Sequence, residues 1–203
     1  MPDFELEKLY NEKGYKYVCG VDEAGRGPLA GPVCAAAVIL PKDIQIDGLN
    51  DSKKISEKKR ELLFDIIKEK AIAYCIAFGT LEEIEEFNIL NATYFAMNWA
   101  IDGLNIKANF ALIDGNRVPD GIKVPCETVV KGDAKSASIA AASILAKVTR
   151  DRMMCNLDEK YDVYNFKKHK GYGTKEHVEL IKQYGPSDIH RLSFLTKILK
   201  WKH

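Results

Sequence analysis

Residues 17–40 read YVCGVDEAGRGPLAGPVCAAAVIL. Two apolar runs, Tyr17 to Val21 and Val33 to Leu40, enclose a segment of acids, glycines and prolines. Short apolar runs bounded by turn formers are the pattern of buried strands, and Pro41 closes the second run. Asp22 and Glu23 stand together at the end of the first strand, just before Gly25. Within a strand their side chains would point to opposite faces, so a turn at Gly25 is needed to bring both to one place.

Working outward, Leu62, Leu63, Ile66 and Ile67 recur at helical spacing after a Ser56 N-cap, predicting a helix to Lys70, and Ala71 to Thr80 returns to strand character. Thr80 with Glu83 has the spacing of a capping box that opens a short helix. Asn91 to Leu104 predicts another, with Tyr94, Ala100, Ile101 and Leu104 on its apolar face. Phe110 to Ile113 is a strand running into Asp114 and Gly115, and Thr128 to Val130 one running into Lys131, Gly132 and Asp133. Ser136 to Cys155, rich in Ala and Leu without Gly or Pro, predicts the longest helix. A further helix is expected near Lys175 to Tyr184. With no repeat, low-complexity segment or long linker, the expectation is one domain over residues 1–203, α/β with a mixed central sheet flanked by helices and a small C-terminal helical region.

The chain has 203 residues, 46% hydrophobic and 29% charged, as an ordinary soluble domain does. No apolar run approaches the roughly 20 residues that span a bilayer, and the N-terminus reads neither as a secretion signal nor as a transit peptide, so a cytoplasmic protein is expected. Five widely spaced cysteines without a CxxC pair give no disulfide framework or zinc site. They read as reduced thiols, three of them in strand-like runs. A formal net charge of +1 provides no global attraction to nucleic acid. From Tyr161 onward, however, Lys167, Lys168, Lys170, Lys175, Lys182, Arg191, Lys197, Lys200 and Lys202 outnumber the acids. That run is either a phosphate-facing surface or a solvated helix face.

Each acid at a strand end has a plain alternative reading: Asp22 and Asp114 could start Asx turns, and Asp133 could cap the long helix. Together they form an oxygen-only donor set without histidine, which suits Mg²⁺ or Mn²⁺. Such a cluster would be unstable without cations, because like charges raise one another's pKa.

The segment Gly20-Val21-Asp22-Glu23-Ala24-Gly25-Arg26-Gly27-Pro28-Leu29-Ala30-Gly31-Pro32-Val33 closely resembles the signature of the ribonuclease HII family. Matching segments follow in the family's order: 49–54 (LNDSKK), 113–116 (IDGN), 131–136 (KGDAKS), 138–147 (SIAAASILAK), 169–174 (HKGYGT) and 190–194 (HRLSF). The resemblance runs from about Tyr17 to Phe194. It implies the ribonuclease H-like fold and an endonuclease that cuts the RNA strand of RNA/DNA hybrids and nicks DNA at embedded ribonucleotides. It also implies Asp22, Glu23, Asp114 and Asp133 as catalytic metal ligands for Mn²⁺ or Mg²⁺. Gly25-Arg26-Gly27 would approach the ribose at the RNA-to-DNA junction, since a backbone without Cβ comes closest to a sugar. Tyr172 would pack on the following sugar, Lys53 would lie near substrate phosphates, and Ser136 and Lys147 would contact the DNA strand. His169 and His190 are expected to be structural. No membrane or protein partner is implied, and a monomer is expected. The alternatives are a ribonuclease HIII-like nuclease and a non-catalytic hybrid-binding module. The first usually carries an extra N-terminal domain, for which the residues before Tyr17 leave no room, and lacks the Gly-Arg-Gly sequence. The second would require loss of a carboxylate.

Overall fold

The computed structural model describes residues 2–42, 44–50, 52 and 55–199, with Lys197 by its backbone only. In chain order the elements are α1 (Glu5–Glu12), β1 (Val18–Ala24), β2 (Val33–Ile39), α2 (Glu57–Lys70), β3 (Ala73–Gly79), α3 (Leu81–Asp102), β4 (Phe110–Asp114), β5 (Cys126–Val129), α4 (Ala137–Lys160), α5 (Phe166–His169), α6 (Lys175–Tyr184) and α7 (Leu192–Leu199). The strands form one sheet in the order β3-β2-β1-β4-β5. β2 is antiparallel to both β1 and β3, whereas β1, β4 and β5 run parallel, so the sheet is mixed as expected.

Local chemistry sets the helix boundaries. The Ser56 side chain accepts from Lys59 N at the start of α2, and the Thr80 capping box is complete, with Glu83 N donating to Oγ1 at 3.2 Å and Thr80 N donating to the Glu83 carboxylate at 2.8 Å. The two helices expected across 81–104 abut at Asn88, whose φ is +70°. Its side chain accepts from the amides of Leu90 and Asn91, capping the second segment where it restarts.

Both faces of the sheet are covered. α4 and α2 pack on one face with Ala36, Val38, Ala140 and Ile144, and α3 packs on the other with Ala35, Ala37, Ala96 and Ile101. Every residue of β2 is therefore buried, which is why it reads as an unbroken apolar run. The start of α4 lies directly on β1. A Cβ at Gly20 would stand 2.1 Å from the Ser138 carbonyl carbon and 2.2 Å from Ile139 N, so this crossing requires glycine. A separate cluster of Leu29, Ala30, Met154, Phe166, Ile181 and Leu195 joins the C-terminal helices to the loop after β1.

Four cysteines, not three, lie in strands: Cys19, Cys34, Cys75 and Cys126. All five thiols are free, and burial pushes Cys19 and Cys34 up to about 12. Among the described residues, no helix is long and apolar enough to cross a membrane.

Candidate active site and ribose-binding groove

Parallel pairing places the acids. Val21 lies opposite Ile113, so Asp22 and Asp114 follow side by side at the carboxyl ends of β1 and β4. Asp114 in turn pairs with Val129 of β5, and Asp133 sits in the 3-10 turn Gly132–Ala134 that follows. That turn is tied to the site, because Gly132 N donates to Asp114 Oδ1 at 2.6 Å. Both Asp22 and Glu23 lie within β1, which runs on to Ala24, and the chain turns only after them, at Gly25 with φ +99°. Glu23 nevertheless lines two neighbouring cavities. One of about 190 Å³ holds Asp22, Gly25, Arg26, Gly27, Ser143, Lys147 and Tyr172. The other, of about 360 Å³, holds Arg26, Asp114, Asn116 and Arg117.

Asp22 is only 5% exposed. Its carboxyl is pushed well above the usual carboxylate range, first by burial and then by the negative charges of Glu23 and Asp114. Ser143 and the Glu23 amide, which donates to Asp22 Oδ1 at 2.7 Å, oppose this only in part. A buried acid raised by its acidic neighbours is relieved by a cation, and the donors are all oxygens, so the set suits a hard divalent ion. Among the described residues, no three of these side chains are drawn together tightly enough to enclose one.

The glycines of Gly25-Arg26-Gly27 differ. Gly25 is buried with φ +99°, and a Cβ there would meet Arg150 Nε at 2.0 Å. Gly27 is exposed, with nothing within 4 Å of a Cβ. The first glycine thus serves the fold, whereas the second leaves space over the groove.

Tyr172 is 41% exposed and presents its ring to Lys147 and Arg150, whose cations lie 5.6 and 5.9 Å from its centroid. Lys147 Nζ also reaches Asp151 at 2.6 Å. Below Tyr172 are His169, His177 and His190, all buried. The Tyr172 amide donates to the His169 carbonyl, and its own carbonyl accepts from His177 Nδ1 at 2.9 Å. This fixes the tautomers in turn. His177 Nε2 must accept, so His190 Nε2 donates to it at 3.1 Å, and His190 Nδ1 accepts from Ser187 N at 2.9 Å. His169 Nε2 donates to the Tyr164 carbonyl and its Nδ1 accepts from Gly171 N. All three rings are held neutral, a structural task for His169 and His190 as expected. His177 joins them without any sequence spacing to announce it.

One expectation needs correction. Ser136 has no exposed surface: its hydroxyl caps α4 by accepting from Ile139 N at 3.1 Å and donates to Glu7 at 2.7 Å, so in this conformation it cannot touch a DNA strand. The basic run, for which both readings stood open, does not form one surface. Arg191 is fully buried, Lys168 pairs with Glu176, Lys182 pairs with Glu179, and Lys170 is mostly covered. Lys53, Lys54, Lys200 and Lys202 lie outside the described residues.

The sequence profile of the family described as Ribonuclease HII matches residues 19–197. The chain belongs to the ribonuclease HII family. The Ribonuclease HII of Caldicellulosiruptor saccharolyticus is 54% identical over 197 residues, 97% of this chain and 96% of that protein. The crystal structure of ribonuclease H2 from Pyrococcus horikoshii OT3 superposes with a TM-score of 0.75 at 29% identity, covering 91% of this chain and 97% of that one. The ribonuclease H-like fold extends to Bst-RNase HIII, solved in complex with Mn²⁺, at a TM-score of 0.70 and 16% identity over 91% of this chain and 69% of that one. The family's activity is ribonuclease H hydrolysis of RNA/DNA hybrids with a divalent metal, and this chain is an enzyme of that class.

Proposed function

We propose that this enzyme cuts the RNA strand of RNA/DNA hybrids and also nicks duplex DNA at embedded ribonucleotides, leaving 3′-OH and 5′-phosphate ends. The observation that carries the reading is the single cavity in which Asp22 and Glu23 face Gly27 and Tyr172, which joins charged oxygens to a backbone able to meet a ribose. Asp22, Glu23, Asp114 and Asp133 would hold two divalent cations, Mn²⁺ or Mg²⁺. When bound, these supply an activated water for in-line attack and stabilise the departing 3′ oxygen.

The chain's own groups do the rest. Gly27 and its neighbours approach the 2′-OH, which can both donate to and accept from a main chain. The Tyr172 ring covers the adjoining sugar, and its hydroxyl serves as a hydrogen-bonding group toward the 2′ position. Lys147, anchored on Asp151, places a positive charge beside the backbone of the cut strand or its complement. Lys53 is assigned a phosphate by the family resemblance. Arg26, half exposed at the junction of the two cavities, leans on Glu23 at 3.4 Å and is placed to exchange that contact for a phosphate.

The test uses one duplex with a single ribonucleotide, its all-deoxy counterpart and a continuous hybrid, each with Mg²⁺, Mn²⁺ or chelator. A metal-dependent nick beside the lone ribonucleotide, with a 3′-OH that a polymerase extends, supports the reading. Tight hybrid binding without cleavage in either metal would overturn it in favour of a binding module.

A further inference from the structure

Two arginines lie beneath the Gly25–Gly31 loop, Arg191 at 0% and Arg150 at 1% exposure. Among the described residues neither forms an ion pair with a carboxylate. Their partners are backbone carbonyls. Arg191 donates from Nη2 to Gly25 at 2.6 Å and Gly31 at 2.7 Å, from Nη1 to Pro28 at 2.9 Å and Arg26 at 3.0 Å, and from Nε to Gly31 at 2.9 Å. Arg150 donates to the carbonyls of Ala30, Pro32 and Lys170, each at 3.0 Å. Burying a guanidinium without an anion is costly, and only a full set of well-directed acceptors offsets it. The fold bears that cost twice under one loop.

Peptide geometry gives the arrangement a direction. Among the described residues no peptide bond is cis, and a trans peptide points its C=O and N–H to opposite sides. With the Gly25 and Arg26 carbonyls turned in on Arg191, the amides of Arg26 and Gly27 are turned the other way. Both residues line the cavity that contains Asp22 and Tyr172. Arg150 ties the same loop to Lys170, and Leu29 N donates to the Gly171 carbonyl at 2.8 Å, so the Tyr172 segment shares the frame.

We propose that Arg191 is a positioning residue for ribose recognition: its guanidinium fixes the carbonyls of Gly25, Arg26, Pro28 and Gly31 so that the amides of Arg26 and Gly27 are presented to the 2′-OH. This rests on the reading that the Gly25–Gly27 backbone meets the ribose. Lysine keeps the charge but offers one ammonium where a planar fork of donors is needed, and glutamine keeps neither.

The experiment compares wild type, Arg191→Lys, Arg191→Gln and Gly27→Ala. Circular dichroism and thermal unfolding report folding. Anisotropy in chelator gives the affinity ratio between a duplex with one ribonucleotide and the same duplex all-deoxy. Cleavage with Mn²⁺ gives kcat and KM on the single-ribonucleotide duplex and on a continuous hybrid. Both Arg191 variants should fold, lose roughly twofold to tenfold in the single-ribonucleotide to hybrid kcat ratio, the scale of one misplaced hydrogen bond, and lose binding preference for the ribonucleotide. Equal losses on both substrates, an unchanged ratio, or failure of both variants to fold would each overturn the proposal. Gly27→Ala separates the two levels: if it leaves discrimination intact, the underlying reading is wrong, and if it alone abolishes discrimination, only the role of Arg191 is wrong.

Discussion

Acidification from pH 7 to pH 5 should destabilise the region beneath Tyr172 through its neutral histidines. Burial, the largest influence, pushes both His177 and His190 down to about 4. In the unfolded chain each titrates near about 6.5. The unfolded state therefore takes up protons first, so the histidine contribution is fully present above about pH 6.5 and is lost as the pH falls toward about 4. At pH 5 that is about 2 kcal/mol for one ring, from about 1.5 pH units at about 1.4 kcal/mol each. The rings share the 3.1 Å Nε2–Nε2 contact and titrate as a pair, so about 2 to 4 kcal/mol is expected for both, out of a typical stability of about 5 to 15 kcal/mol. Protonating His177 Nε2 would set two donors against each other, and protonating His190 Nδ1 would do the same against Ser187 N. Asp22 acts in the opposite sense, since its raised carboxyl favours the folded state as the pH falls. Urea unfolding at both pH values is thus measured for wild type and for His177→Gln/His190→Gln, and the difference isolates the rings. If wild type loses no more stability than the variant, the neutral-network argument is refuted.

Three further outcomes are expected. Asp114→Asn should abolish cleavage while preserving the fold, because the amide oxygen can still accept from Gly132 N; metal-free thermal stability should hold or rise as the charge on Asp22 is relieved, and wild-type turnover would remove Asp114 from the ligand set. Gly25→Ala should cost about 2 to 5 kcal/mol by denaturant unfolding, combining a left-handed backbone with a collision on the Arg150 side chain, whereas Gly27→Ala should change stability by no more than about 0.5 to 1 kcal/mol. Tyr172→Phe should slow single-ribonucleotide nicking roughly twofold to tenfold and Tyr172→Ala by more, with continuous-hybrid cleavage better preserved; equal losses would assign Tyr172 to general binding.

What the sequence made legible was what short-range chemistry controls. β2 could be read because both of its faces are buried, and the two segments of α3 because Thr80, Glu83 and the renewed apolar face from Asn91 sit at fixed spacings, whereas the break at Asn88 itself was not read. The strand-end addresses of Asp22, Asp114 and Asp133 followed from apolar runs that stop at acids. α1, α5 and α7 escaped because helices of 8, 4 and 8 residues carry too little periodicity to stand out. The tasks of Arg191 and His177 escaped for another reason. A buried cation and a surface cation look alike in a string of letters, and only the closing of the C-terminal segment over the loop after β1 separates them. Ser136 misled in the same way, since its N-cap role and its contact with Glu7 depend on α1 being where it is.

The seating of α4 on Gly20 has an evolutionary side. Ser138, Ala140, Ala141 and Ala142 are buried to within 1% exposure, and the Ser138–Ile139 backbone leaves no clearance over Gly20, while Ser143 and Lys147 further along the same helix line the groove. A larger side chain in the first two turns would lift the helix and shift every working residue behind it. The protein's freedom to change is therefore unevenly distributed along a single element: a library selected for nicking should return almost only residues of alanine size at 140–142 and a broad spectrum at Asn156, Glu159 and Lys160, which face solvent.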